Sequence, residues 1–137
     1  MSTALNDEQD VRDLFDRYIK SRNSGDLDGF EACFGQGATC FYRNGAPLRE
    51  IQSKAERSLR YQNGYKASIT TRDVQIQTFD GAFAILTATT DGTVVNPDGT
   101  KETGPWRLSA FLRKLSNGWA ILHVACGRLM INATIPS

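Results

Sequence analysis

The stretch RYIKSRNSGDLDGFEACFGQGATCF, residues 17–41, decides the fold, and the rest of the chain is read outward from it. Leading into it, Val11, Leu14, Phe15, Tyr18 and Arg22 recur at three- and four-residue spacing, with Ile19 widening the stripe. That is the period of a helix with one buried face. Asn6 followed by Gln9 resembles a capping box, so a helix is predicted over about residues 7–24. Gly25 then supplies a left-handed C-terminal residue. Asp26 caps a short second helix whose apolar positions are Leu27, Phe30 and Phe34, and residues 39–42 read as a short strand. Beyond a turn at Asn44 and Gly45, Pro47 occupies a first helical turn. Leu48, Ile51, Ala55 and Leu59 make a third amphipathic stripe that Gly64 ends. Lys54, Arg57 and Arg60, with Glu50 and Glu56 nearby, read as a solvated face of that helix.

From Tyr65 onward the period changes to two, punctuated by turns at Asp80–Gly81, Asn96 to Gly99 and Ser116 to Gly118. Successive antiparallel hairpins follow. Centring the pairing on the last two turns puts Ala84, Leu86, Ala88, Leu108, Ala110, Leu112, Leu122, Val124 and Cys126 on one apolar face. Phe83, Ile85, Thr87, Thr89, Asp91, Arg107, Ser109, Phe111, Ile121, His123 and Ala125 fall on the mixed opposite face. One bulge would exchange the faces locally. The expected architecture is α+β: three N-terminal helices packed on the apolar face of a curved antiparallel sheet, as one domain over residues 1–137.

Composition narrows the function. The 137 residues are 40% hydrophobic and 23% charged, with 16 Lys and Arg against 15 Asp and Glu, a net charge of +1. Nucleic-acid binding by phosphate neutralisation is disfavoured. No apolar run reaches the roughly 18 residues of a bilayer span, and MSTALNDEQD has no signal-peptide pattern, so no membrane partner and a cytoplasmic location are expected. Cys33, Cys40 and Cys126 lack CxxC spacing and meet one histidine, so they read as buried apolar thiols and no metal site is expected. GxSxG, P-loop and GxGxxG motifs are missing, which removes the usual support for nucleotide or acyl-transfer chemistry.

The stretch quoted above, above all its GDLDGF and GAT elements, resembles the opening of the NTF2-like superfamily in its ketosteroid isomerase and SnoaL-like branches. The closing turn SNG followed by WAILH is similar to their last strand. The resemblance implies a cone opening between helices and sheet, and a homodimer through the other sheet face. In steroid isomerases of this kind a helix tyrosine binds an oxyanion, an aspartate shuttles the proton and a second, protonated acid donates another hydrogen bond. Tyr18 matches the tyrosine. The shuttling aspartate falls on Tyr42, and the second acid on Ser109 or Ala110, so both carboxyls are missing. A phenol with a pKa near 10 is a poor base at neutral pH, which disfavours steroid isomerisation.

Tyr18 and Tyr42 are thus the candidate catalytic pair, as hydrogen-bond donors to a carbonyl or phenolate oxygen. Phe15, Phe34, Trp106, Leu122, Val124 and Cys126 are the candidate ligand-binding residues. Aligning Trp119 with the tryptophan that opens the last strand in SnoaL-like members puts His123 on the outer face with Arg107, Ser109 and Phe111, the expected dimer surface. A bulge near Gly104 and Pro105 would instead carry Arg107 into the cavity beside Asp91. Arg72 and Asp73 interrupt their strand as a bulge or an ion pair. Two readings follow. One is a cofactor-independent isomerase, cyclase or dehydratase acting on a hydrophobic cyclic or polyketide-like carbonyl compound in an apolar cavity. The other is a noncatalytic dimeric ligand-binding or association domain, its cavity filled by Phe15, Phe34 and Phe41 and leaving no free volume beside Tyr18. A small structural beta subunit of a ring-hydroxylating oxygenase is a third.

Overall fold

The computed structural model describes residues 4–130. In chain order it contains α1 (Ala4–Ser24), α2 (Leu27–Glu31), β1 (Phe34–Phe41), β2 (Arg49–Glu50), α3 (Lys54–Gln62), β3 (Lys66–Phe79), β4 (Phe83–Val95), β5 (Lys101–Thr103), β6 (Trp106–Leu115) and β7 (Gly118–Arg128). The sheet runs β2-β1-β7-β6-β4-β3, with β5 added to the end of β4. The α+β class therefore stands, with three corrections. β1 pairs with β7 in parallel, which makes the sheet mixed rather than antiparallel. Phe34, read as helical, begins β1 because α2 is a single turn that closes at the Ala32 cap. The third helix starts at Lys54 rather than at Pro47. Arg49–Glu50 pairs with Thr39–Cys40 as an edge strand instead, and Ser53 and Glu56 form a capping box that halts the helix on its N-terminal side.

The α1 stripe packs as its period requires. Val11, Leu14, Phe15 and Ile19 are buried against Ala84, Leu86, Leu108, Ala110, Leu112 and Ile121 of the sheet, each large side chain contributing roughly 2 kcal/mol by leaving water. Polar pins fix the helix at both ends. Asn23 hydrogen-bonds both backbone groups of Ile69 on β3, at 2.8 and 2.9 Å. Asp7, almost fully buried, meets Lys114 of β6 at 2.9 Å. Helix α1 extends to Ala4, so Asn6 lies inside it rather than capping it.

One register error follows from a bulge. Phe111 pairs with His123 but Leu112 pairs with Ile121, so Leu122 is the extra residue. Ile121 turns inward and is 1% exposed, in place of the expected Leu122. Downstream of the bulge the expected faces hold: Val124 and Cys126 point toward the helices, opposite Ala110 and Leu108, and His123 faces outward. A second irregularity between Arg72 and Gln75, with Asp73 at φ 56°, bends β3, and Arg72 bridges Asp73 and Asp91 there. Among the described residues no helix is long and apolar enough to cross a membrane, and no cluster of His, Cys, Asp and Glu could hold a metal ion.

Candidate functional site

The helical period places Tyr18 and Arg22 one turn apart on the buried face of α1. The guanidinium carbon of Arg22 lies 5.7 Å from the centre of the Tyr18 ring. Around them α2 contributes Phe30, β1 contributes Phe34 and Cys40, and the segment after β1 contributes Tyr42 and Arg43. Ile51 and Gln52 precede α3, which brings Arg57 and Arg60. Tyr65 stands at the foot of β3, and Val124 and Cys126 come from β7. Asn96, Asp98, Thr100 and Glu102 of the β4–β5 hairpin complete the wall. The space enclosed is about 410 Å³, and a second recess of about 380 Å³ shares Phe30, Phe34, Ile51, Gln52 and Arg57 with it.

Of the residues singled out from sequence, Tyr18, Tyr42, Phe34, Val124 and Cys126 line this cavity. Phe15 is stacked behind Tyr18 in the core, ring centres 6.0 Å apart. Trp106 is buried in the sheet with the Arg43 guanidinium 6.0 Å from its ring. Leu122 packs over Gly35, where a Cβ would come within 2.8 Å of its Cδ2. Free volume stands beside Tyr18, counter to a cavity filled by Phe15, Phe34 and Phe41. Phe41 borders the cavity without filling it, its ring lying edge-on to His123 with ring centres 5.5 Å apart.

Four arginines escaped the sequence reading. The helical periods place Arg22 in an apolar stripe and Arg57 on a solvated face, yet each is only 8% exposed. Arg57 lies over Phe30, 3.5 Å from the ring centre, and donates to the Tyr61 hydroxyl at 3.3 Å. Tyr61 in turn donates to the Arg22 carbonyl at 2.7 Å, which ties α3 to the end of α1. Gly25 beside it takes the left-handed conformation (φ 73°) that glycine favours. Arg43 pairs with Glu102 at 2.9 Å, and Arg60 lies 4.6 Å from the Tyr65 ring centre. The signal available in the sequence was a charged residue holding a position in a buried stripe.

The SnoaL-like domain profile matches residues 11–126. The chain belongs to the SnoaL-like family. Solved structures carry the same fold at low identity. One is described as a candidate aromatic ring hydroxylase from Novosphingobium aromaticivorans (18% identical, TM-score 0.76, covering 94% of this chain and 93% of that one). Another is described as a candidate dehydratase of the NTF2-like family from Streptomyces avermitilis (14%, TM-score 0.76, covering 93% and 99%). A third is the CaMKII hub of S. rosetta (24%, TM-score 0.69, covering 86% and 93%). Among curated proteins none matches the chain. Likeness at this level of identity shows a shared fold, and the fold selects no function.

In this SnoaL-like domain burial pushes the Tyr18 phenol up to about 12, outweighing Arg22, so Tyr18 is a protonated donor at neutral pH. Burial, with Cys40 beside it, likewise raises Tyr42 to about 12. Tyr65 differs. Burial raises it, but Arg22, Arg43 and Arg57 together outweigh burial and leave it below the ordinary phenol value. Both carboxylates in the wall are held low: Asp98 by Thr100, and Glu102 by Asn96 and Arg43, which overcome its burial. The site therefore offers phenol and guanidinium donors to an oxygen, and no carboxylate tuned to take a proton near neutrality.

Proposed function

We propose that this SnoaL-like domain is a cofactor-independent enzyme of isomerase, cyclase or dehydratase type. Its substrate is a hydrophobic cyclic or polyketide-like carbonyl compound, and Tyr18 and Tyr42 donate hydrogen bonds to the substrate oxygen. The observation that carries this reading is the buried, protonated Tyr18 one helical turn from Arg22, beside free volume large enough for a bicyclic body. Tyr18 on α1 and Tyr42 immediately after β1 are aimed before charge develops, so they stabilise an enolate or phenolate with little reorganisation. With no tuned base in the wall, the reaction suits a substrate whose proton is already acidic.

The test is a thermal-shift screen against hydrophobic ketones and phenols, repeated with Tyr18→Phe, because a ligand that binds the folded state raises the transition. A phenol or enolate mimic should stabilise the wild type and lose that effect in Tyr18→Phe. No shift with any compound, together with an unchanged or higher melting temperature for Tyr18→Phe, would leave the noncatalytic dimeric domain. That second reading draws support from the outer sheet face, where Phe83, Ile85 and Phe111 are 37–40% exposed.

A further inference from the structure

The charges of the cavity do not balance. Its wall carries four arginines and two carboxylates, and the one ion pair in the wall, Arg43–Glu102, neutralises one arginine. Asp98, exposed at the rim, accepts from the Thr100 backbone and hydroxyl through Oδ1 and pairs with no arginine among the described residues. Arg22 and Arg57, each more than nine-tenths buried, meet no carboxylate among the described residues. Their partners are phenols and rings. Arg22 donates to the Tyr65 hydroxyl at 3.3 Å, and Arg57 to the Tyr61 hydroxyl at 3.3 Å while stacking on Phe30. The Nε of Arg57 is buried with no hydrogen-bond partner, and so is that of Arg43. A guanidinium stays charged and presents five donors, and a buried charge without a counter-charge is costly.

We propose that the cavity takes an organic acid, its carboxylate held between Arg22 and Arg57 and its aromatic or alicyclic body lying among Tyr18, Phe30 and Phe34. The inference rests on the same site as the reading above but narrows the substrate from a neutral carbonyl compound to one that carries a carboxylate. Four features support it independently of catalysis. A guanidinium fork matches a carboxylate in geometry as well as charge. The two arginines come from different helices, and Tyr61 bridges them, so the anion site exists only because α3 docks on α1. The depressed phenol of Tyr65 reports the same positive field inside the cavity. Phe30, one side covered by Arg57, and Phe34, ring centres 4.9 Å apart, with Tyr18 5.7 Å from Phe30, give an aromatic wall for the body of the acid.

The test is titration calorimetry of the whole protein with cinnamate and phenylacetate and with their neutral amides, cinnamamide and phenylacetamide. At least one carboxylate should bind roughly tenfold or more tightly than its amide. Arg22→Gln and Arg57→Gln should each weaken that carboxylate by about tenfold and leave the amide nearly unchanged. Tyr18→Phe separates the two readings: carboxylate binding that survives it upholds the anion site even where the enzyme assignment fails. Equal binding of acid and amide, no binding of either, or carboxylate affinity indifferent to both arginine substitutions would overturn the proposal. Arg57→Met covers the case of a variant that folds poorly. If the charge is kept for a ligand, this apolar replacement raises the melting temperature of the free protein, whereas a marked fall would make Arg57 a structural residue and overturn the assignment.

Discussion

Tyr18 and Tyr65 face the same arginines and titrate in opposite directions, because their balances of burial and charge differ. The pH dependence follows from the signs. Tyr18, raised in the folded state to about 12, keeps its stabilising contribution below the unfolded value near 10 and loses it as pH climbs from there toward 12. Tyr65, lowered in the folded state, contributes in the other sense. The folded protein releases its proton first, so stability gains as pH rises through the folded value toward 10. In a spectroscopic titration the first tyrosinate to form should be abolished by Tyr65→Phe. In denaturation series above pH 10, Tyr18→Phe should flatten the decline of stability with pH, by up to about 1.4 kcal/mol per pH unit. A steeper decline in Tyr18→Phe would show that Tyr18 does not titrate as its burial requires.

At the scale of elements, departures from regular strand geometry decide local packing. Gly92 of β4, at φ 117°, pairs with Ile69 of β3, whose backbone Asn23 at the end of α1 hydrogen-bonds. A Cβ there would fall 1.9 Å from the Ser68 carbonyl oxygen. Gly92→Ala therefore meets both a backbone clash and a conformation unfavourable to L residues, and should cost at least ~2 kcal/mol in chemical denaturation. A loss below about 0.5 kcal/mol would mean that the two strands part easily. The bulge at Leu122 acts more quietly. It changes which of two adjacent apolar residues enters the core, and alternation alone marks neither as the extra one. The apolar spacing from Leu48 onward predicts an earlier start for α3 than the structure has; the Ser53–Glu56 capping box sets the start at Lys54, and Leu48 and Leu59 are more than half exposed.

For the whole molecule, the sheet has one face covered by α1 and one open. The open face carries Phe83 stacked on Phe111 at 5.5 Å, with Ile85, Arg107 and Ser109 beside them, and His123 hydrogen-bonded to Thr39 at 2.8 Å. We propose that a second copy of the chain covers this apolar row. Phe111→Asp places a charge at its centre without touching the cavity wall, and should convert a dimer to monomers in sedimentation while carboxylate or phenol binding persists. A wild type that sediments as a monomer, or a variant that remains dimeric, would place any interface elsewhere.

Residue spacing within the chain determined the class and layers of this protein. The 3.6-residue stripe of α1, the Gly25–Asp26 punctuation and the period-two strands are local patterns, and burial of one face of each follows from them directly. Resemblance to the steroid isomerase branch, not local period, made Tyr18 and Tyr42 candidates, while strand alternation put His123 on the outer face. Tertiary structure alone decided the electrostatics of the site. Nothing in the separation of Arg22 from Arg57, or of Arg43 from Glu102, tells which charges will find partners. That depends on where α3 docks and where the β4–β5 hairpin reaches. A buried arginine and a solvated one are the same letter, and only packing removes the water that makes them alike.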